Sequence, residues 1–301
     1  TLKISLLVFI LSITISAQEG WFWQNPYPGA CGYRDIEFVS ENSIWAVGFN
    51  GTIVNSTDGG GTWNNIYLNL SIELVSLSFS DEMHGTIVGE NGTIIRTTNG
   101  GIDWQWQESG TSSYLTAVSF LNNDTGIVVG AEVLKTIDGG NTWVNQNILG
   151  SEYYMDVIMI DSLNTYLIGF QAILKTTDAG ETWSIYNLIN DLYSLTGASF
   201  LDAMNGIAVG NGISLKTSDG GINWYEYPGN GFGDVSYLSY NTAVATSGNG
   251  IRKTTDGGSS WFQIYDDAVD MARVSFINEN IGFSCSGSIG WGGLSEDIPL
   301  N

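Results

Sequence analysis

STDGGGTW, residues 56–63, decides the fold, because the chain repeats it in near-copy six times. The later copies are TTNGGIDW (97–104), TIDGGNTW (136–143), TTDAGETW (176–183), TSDGGINW (217–224) and TTDGGSSW (254–261). Successive tryptophans stand 41, 39, 40, 41 and 37 residues apart. A repeat of about 40 residues is one four-stranded unit of a radially repeated sheet protein.

Working outward from the second copy gives the unit. Leu74 to Phe79 alternates as a first strand, A, with Val75, Leu77 and Phe79 on one face. Residues 81–84 turn, and 85–89 form strand B. Glu90-Asn91-Gly92 is a tight turn, with an Asn-Gly pair that tolerates positive φ. Strand C covers 93–97, the box turns the chain, and Trp104 opens strand D. Within the box, an Asp or Asn side chain is expected to bond backbone N–H groups two residues on, and the glycines supply conformations closed to other residues. The Trp packs between sheets. On this reading Asp58, Asn99, Asp138, Asp178, Asp219 and Asp256, with Trp63, Trp104, Trp143, Trp183, Trp224 and Trp261, are fold devices and not acid/base pairs.

Strand A recurs seven times: IEF (36–38), LSF (77–79), VSF (118–120), IMI (158–160), ASF (198–200), VSY (235–237) and VSF (274–276). WFWQ (21–24) resembles a strand D with no blade before it. The expectation is an all-β, seven-bladed β-propeller of four-stranded antiparallel blades, its ring closed by the N-terminal strand; closure removes exposed sheet edges. Residues 288–301 carry no box, so the last blade is incomplete or degenerate, and six or eight blades stay open. Residues 18–301 form the single propeller domain.

Composition fits. The 301 residues are 43% hydrophobic and only 13% charged, with 39 glycines and 4 prolines. That is short strands joined by glycine turns, not a disordered chain. The formal charge of −22 repels phosphate backbones and anionic lipid, which argues against nucleic-acid and membrane partners. LKISLLVFILSITISA (2–17) has a positive start, an apolar run and a small-residue end, so residues 1–17 read as a signal peptide of a secreted or periplasmic protein, too short for membrane insertion. Cys31 and Cys285 fall in neighbouring blades of a closed ring, as a disulfide or as two buried thiols.

The boxes resemble the Asp-box (BNR) repeat superfamily. The fuller pattern, IWAVGFNGTIVNSTDGGGTW (44–63) and GTIVGENGTIIRTTNGGIDW (85–104), is most similar to photosystem II stability and assembly factor-like propellers. The resemblance implies a non-enzymatic interaction or assembly scaffold with a protein or peptide partner, acting as a monomer. Sialidases and xyloglucan-cleaving enzymes share the box, so a carbohydrate-active or lectin-like propeller is the alternative. Sialidases need an arginine triad. Here Arg96 sits at the strand C position held elsewhere by Lys135, Lys175, Lys216 and Lys253, and Arg34, Arg252 and Arg273 lack the flanking that family requires. The lone His84 is a turn filler. No catalytic, metal or cofactor constellation appears.

In a propeller, the loops entering strand A and the B–C turns share one face. There Arg34, Asp35, Asp156, Asp234 and Arg273 are the candidate partner-binding residues. Arg34 and Arg273, in adjacent blades, are expected to form a basic spot for a carboxylate or peptide terminus, or else to pair locally with the acids. Phe49, Phe170 and Phe232 are expected to add contact area.

Overall fold

The computed structural model describes residues 22–23, 32–148, 153–188, 193–229, 231–266, 271–286 and 294–296. Residues 1–17, Cys31 and most of 288–301 lie outside them, and with them the signal-peptide and disulfide expectations.

Each box-bearing unit folds as an antiparallel four-stranded meander. Blade 2 is typical: strand A is Leu74–Phe79, B is Gly85–Gly89, C is Ile94–Thr97 and D is Gln105–Gln107. The B–C turn uses the Asn-Gly pair, with Asn91 at φ 57° and Gly92 at φ 68°. Strand A does not keep simple alternation. Its register with strand B slips between Leu74 and Ser76. This bulge carries Leu74 to the side of Leu77 and Phe79, and all three are buried together. The same slip recurs in every strand A, between Tyr33/Asp35, Leu115/Ala117, Tyr154/Asp156, Leu195/Gly197, Phe232/Val235 and Met271/Arg273.

Six blades are built this way, not seven. They begin at strands Tyr33–Phe38, Leu74–Phe79, Leu115–Phe120, Tyr154–Met159, Ser194–Phe200 and Phe232–Tyr237, and each holds four strands in chain order. The seven-bladed expectation is corrected accordingly. The remaining sector is a composite sheet made from both ends of the chain. Met271–Asn278 and Ile281–Ser286 form its inner half; Leu294–Glu296 and then Phe22–Trp23 form its outer half. Among the described residues the N-terminal strand pairs with Leu294–Glu296 through Phe22↔Glu296 and Trp23↔Ser295. The physical difference is the missing box. The six blades carry that turn and its wedged Trp between strands C and D, whereas this sheet draws its outermost strand from the other end of the chain.

The core lies between blades. Val88 and Ile94 of blade 2 pack with Leu115, Val118, Phe120, Val128 and Leu134 of blade 3. Phe283 and Cys285 of the composite sheet pack with Tyr33, Ile36, Ile44 and Ala46 of blade 1, closing the ring. Burial of aliphatic and aromatic groups at about 25 cal/mol per Å² drives this stacking.

The box works differently from the sequence expectation. In blade 3 the Thr136 hydroxyl accepts the N–H groups of Asp138 (3.3 Å) and Gly140 (2.8 Å). The Asp138 carboxylate then accepts from the N–H (2.9 Å) and the hydroxyl (2.7 Å) of Thr142, four residues on instead of two. Ser56, Thr97, Thr176, Thr217 and Thr254 repeat the first role. These bonds favour the ionised acid: Asp178 and Asp256 are lowered to about 2, chiefly by Thr182 and Ser260. The strand C cations tie blades together. Arg96 donates to the Asn123 carbonyl (2.6 Å), Lys135 to that of Ala179 (2.8 Å) and Lys175 to that of Gly220 (2.5 Å).

Candidate functional site

The bulge puts one residue of each inner strand at the same level of the central channel. Going round the ring these are Asp35, Ser76, Ala117, Asp156, Gly197, Asp234 and Arg273. Their side chains stitch neighbouring blades. Asp35 accepts the Leu77 N–H (2.9 Å), Ser76 that of Val118 (3.4 Å), Asp156 that of Ala198 (3.1 Å) and Asp234 that of Val274 (3.0 Å). One turn down the strand, Glu37, Ser78, Ser119, Ser199 and Ser275 do the same for Phe79, Phe120, Met159, Tyr237 and Phe38.

Arg273 is the cation of this ring. Its guanidinium donates to Asp234 (3.1 Å) and reaches across to Gly197, whose missing side chain makes room: a Cβ there would stand 3.3 Å from Arg273 Nη1. Burial works against its charge, but Asp234, Asp156 and Asp35 together outweigh burial and hold it above its ordinary value. The acids feel the burial more. Asp156 is pushed up to about 6 and Asp35 is raised, each partly offset by Arg273. Glu37 is raised well above its ordinary value by burial and by Asp35.

Arg34 stands apart from this ring. It precedes the channel position by one residue, and its guanidinium pairs with Glu73 and lies 4.4 Å from the Phe49 ring centre. Glu73 also accepts the Tyr114 hydroxyl (3.0 Å), and its N–H donates to Glu90 (2.9 Å). Burial, then Glu73, raises the Tyr114 phenol. The two arginines therefore make no common basic spot: each is matched to a carboxylate, Arg34 at the rim and Arg273 inside. Asp35, Asp156 and Asp234 do share the channel with Arg273. Of the three phenylalanines, Phe170 is 51% exposed at the rim and Phe49 lies under Arg34, but Phe232 is buried against Trp261 at 4.9 Å. Sequence reasoning missed Glu73, Glu90 and Tyr114. Glu73, Tyr114 and Tyr153 each immediately precede the first residue of strand A, a spacing the repeat carries.

His84 bonds Asp81 through Nδ1 (2.8 Å), as Asn164 and Asn205 bond Asp161 and Asp202 in the equivalent turns. Among the described residues no cluster of three or more His, Cys, Asp or Glu could hold a metal ion, and no helix is long and apolar enough to cross a membrane.

A ring of box-turned, four-stranded sheets about a polar channel defines an Asp-box β-propeller. The chain belongs to the family described as photosynthesis system II assembly factor YCF48, whose model matches residues 14–96, 61–146 and 103–194. Two solved structures share the fold over nearly the whole chain. One is YCF48 bound to D1 peptide, at 21% identity and a TM-score of 0.75, covering 94% of this chain and 98% of that one. The other is YCF48 from Cyanidioschyzon merolae, at 19% identity and 0.76, covering 94% and 100%. The GH74 xyloglucanase from Xanthomonas campestris is also similar, at 13% identity and 0.73, with 89% of this chain matching 52% of that enzyme. At these identities the likeness is one of fold. No curated protein sequence matches this chain.

Proposed function

We propose that this chain is an exported, non-enzymatic binding propeller that takes a peptide segment of a partner protein at its channel mouth. The observation that carries this is the rim itself: Arg34, Glu73, Tyr114, Phe49 and Phe170 gather aromatic surface and hydrogen-bonding groups where the strand A entries and B–C turns meet. Such loops on a rigid ring suit recognition, because the scaffold bears the ordering cost before the ligand arrives. Family membership supports the reading, as does a similar fold solved with a peptide bound. Export rests on residues 2–17 of the sequence.

The test is a peptide-display selection on the purified chain, followed by titration of the enriched peptides on wild type, Arg34→Ala and Phe170→Ala. Enriched peptides should bind wild type and lose about tenfold, or 1.4 kcal/mol, on at least one variant. No enrichment, or binding indifferent to both changes, contradicts the proposal.

A further inference from the structure

The channel mouth carries a definite sign of charge. Arg34 pairs with Glu73, and Arg273 donates to Asp234 (3.1 Å), so each guanidinium already has its counter-ion. Further acids surround them: Glu90 and Glu132 in the B–C turns, Asp35 and Asp156 in the channel. The Glu132 side chain has no partner among the described residues. The formal charge of the whole chain, −22, has the same sign. A carboxylate ligand meets repulsion at this mouth, and a cationic ligand meets attraction.

The rim also shows how a cation sits there. Phe49 and Phe170 hold the same place in blades 1 and 4. Each follows the glycine that ends strand B, and each donates its N–H to the carbonyl just before its own strand A, that of Gly32 or Tyr153, at 3.2 Å. In blade 1 the residue in the strand A bulge is Arg34. Its guanidinium lies 4.4 Å from the Phe49 ring centre, with Glu73 as counter-ion. In blade 4 the bulge residue is Met155. Among the described residues no cation covers Phe170, and its side chain is 51% exposed.

The counter-ion of the Phe170 sector comes from the opposite side. Glu73 precedes Leu74, but the residue preceding the matching Leu195 of blade 5 is Ser194. B–C turns lean on the strand A entry of the next blade: the Gly51 N–H donates to the Ile72 carbonyl (2.6 Å) and the Gly92 N–H to that of Ser113 (2.8 Å). By that order the B–C turn of blade 3, with Glu132, adjoins the blade 4 entry at Tyr153. An exposed aromatic face beside an unpaired acid favours an ammonium or a guanidinium. We propose that the peptide taken at the mouth is basic, with one Arg or Lys side chain stacked on Phe170 as Arg34 stacks on Phe49. This assignment rests on the mouth being a peptide site and names the chemistry of its ligand.

The experiment is to sequence the peptides that display selection enriches on the full chain and to titrate them on variants shown by circular dichroism to be folded. Enriched peptides should carry more Lys and Arg, and fewer Asp and Glu, than the unselected library. Replacing the stacked Arg or Lys of a peptide by Gln should weaken binding about tenfold. Phe170→Leu keeps the apolar side chain without the aromatic face, and it and Glu132→Gln should each weaken binding about threefold. Raising salt from about 50 to about 300 mM should also weaken it. Arg34→Gln removes the rim's own cation and should leave the affinity equal or higher. Enriched peptides that are neutral or acidic, or a loss of affinity with Arg34→Gln, overturn the basic-ligand assignment and leave peptide capture standing. Basic peptides that bind Phe170→Leu and Glu132→Gln as they bind wild type report a general attraction to an acidic chain and overturn it too. No enrichment at all overturns both readings.

Discussion

Replacing Arg273 with Met tests the electrostatic account of the channel. The Arg273 side chain is 17% exposed and its partner Asp234 11%, with 3.1 Å between them. Met keeps the length of the side chain but removes the charge, leaving Asp234, Asp35 and Asp156 in a partly buried channel without their cation. Removing one member of a buried pair costs about 3–5 kcal/mol, so that loss is expected at about pH 7.5. The cost should depend on pH. Asp156 is already held at about 6 in the native protein, above its unfolded value, and Asp35 is raised. Groups shifted this way bind more protons folded than unfolded, so stability rises as pH falls from above the folded value toward the unfolded one. Without Arg273 the folded values climb further, and protonation relieves more of the repulsion. At about pH 5 the penalty should drop to roughly 2 kcal/mol or less, one pKa unit being about 1.4 kcal/mol. Urea unfolding read by both tryptophan fluorescence and circular dichroism measures it, coincidence of the two confirming a single transition. A penalty below about 1 kcal/mol at neutral pH, or one equal at both pH values, refutes the reasoning.

Other expectations follow from the box and the ring. Thr136→Val leaves the Gly140 N–H without its acceptor in a buried turn and should cost about 1–3 kcal/mol by urea midpoint. Gly101→Ala puts a methyl 2.1 Å from Trp45 Cη2 at φ 80°, so about 2–4 kcal/mol of lost stability is expected from the same assay. The box acids are depressed, so their contribution is complete above about pH 4 and fades as pH falls toward 2; ellipticity should hold through about pH 4 and decline below it. In native-state hydrogen exchange, Phe22–Trp23 and Leu294–Glu296 should exchange well before Met271–Asn278, because the outer half of the composite sheet has two short strands and no box.

The repeat made the blades legible, because a box at a spacing near 40 fixes both the C–D turn and the wedge that separates sheets. The blade count was less legible. The recurrence of strand A marks seven inner strands, but an inner strand is not a blade, and the chain ends supply no seventh box. The sequence groups Arg34, Asp35, Asp156, Asp234 and Arg273 at the strand A entries, but that grouping alone does not separate the levels of Arg34 and Arg273. Counting back from Phe38 and Phe276 separates them: Arg34 lies four residues before its aromatic and Arg273 three. With a side-chain period of two, that single step sends one to the rim and the other inside.

The central claim is peptide capture at the channel mouth. Hydrogen–deuterium exchange of the chain, with and without a display-selected peptide at saturation, tests it most directly. The account predicts protection at 32–34, 49–51, 72–74, 113–115 and 170–171, with strands D unchanged. Protection confined to strands D would contradict it.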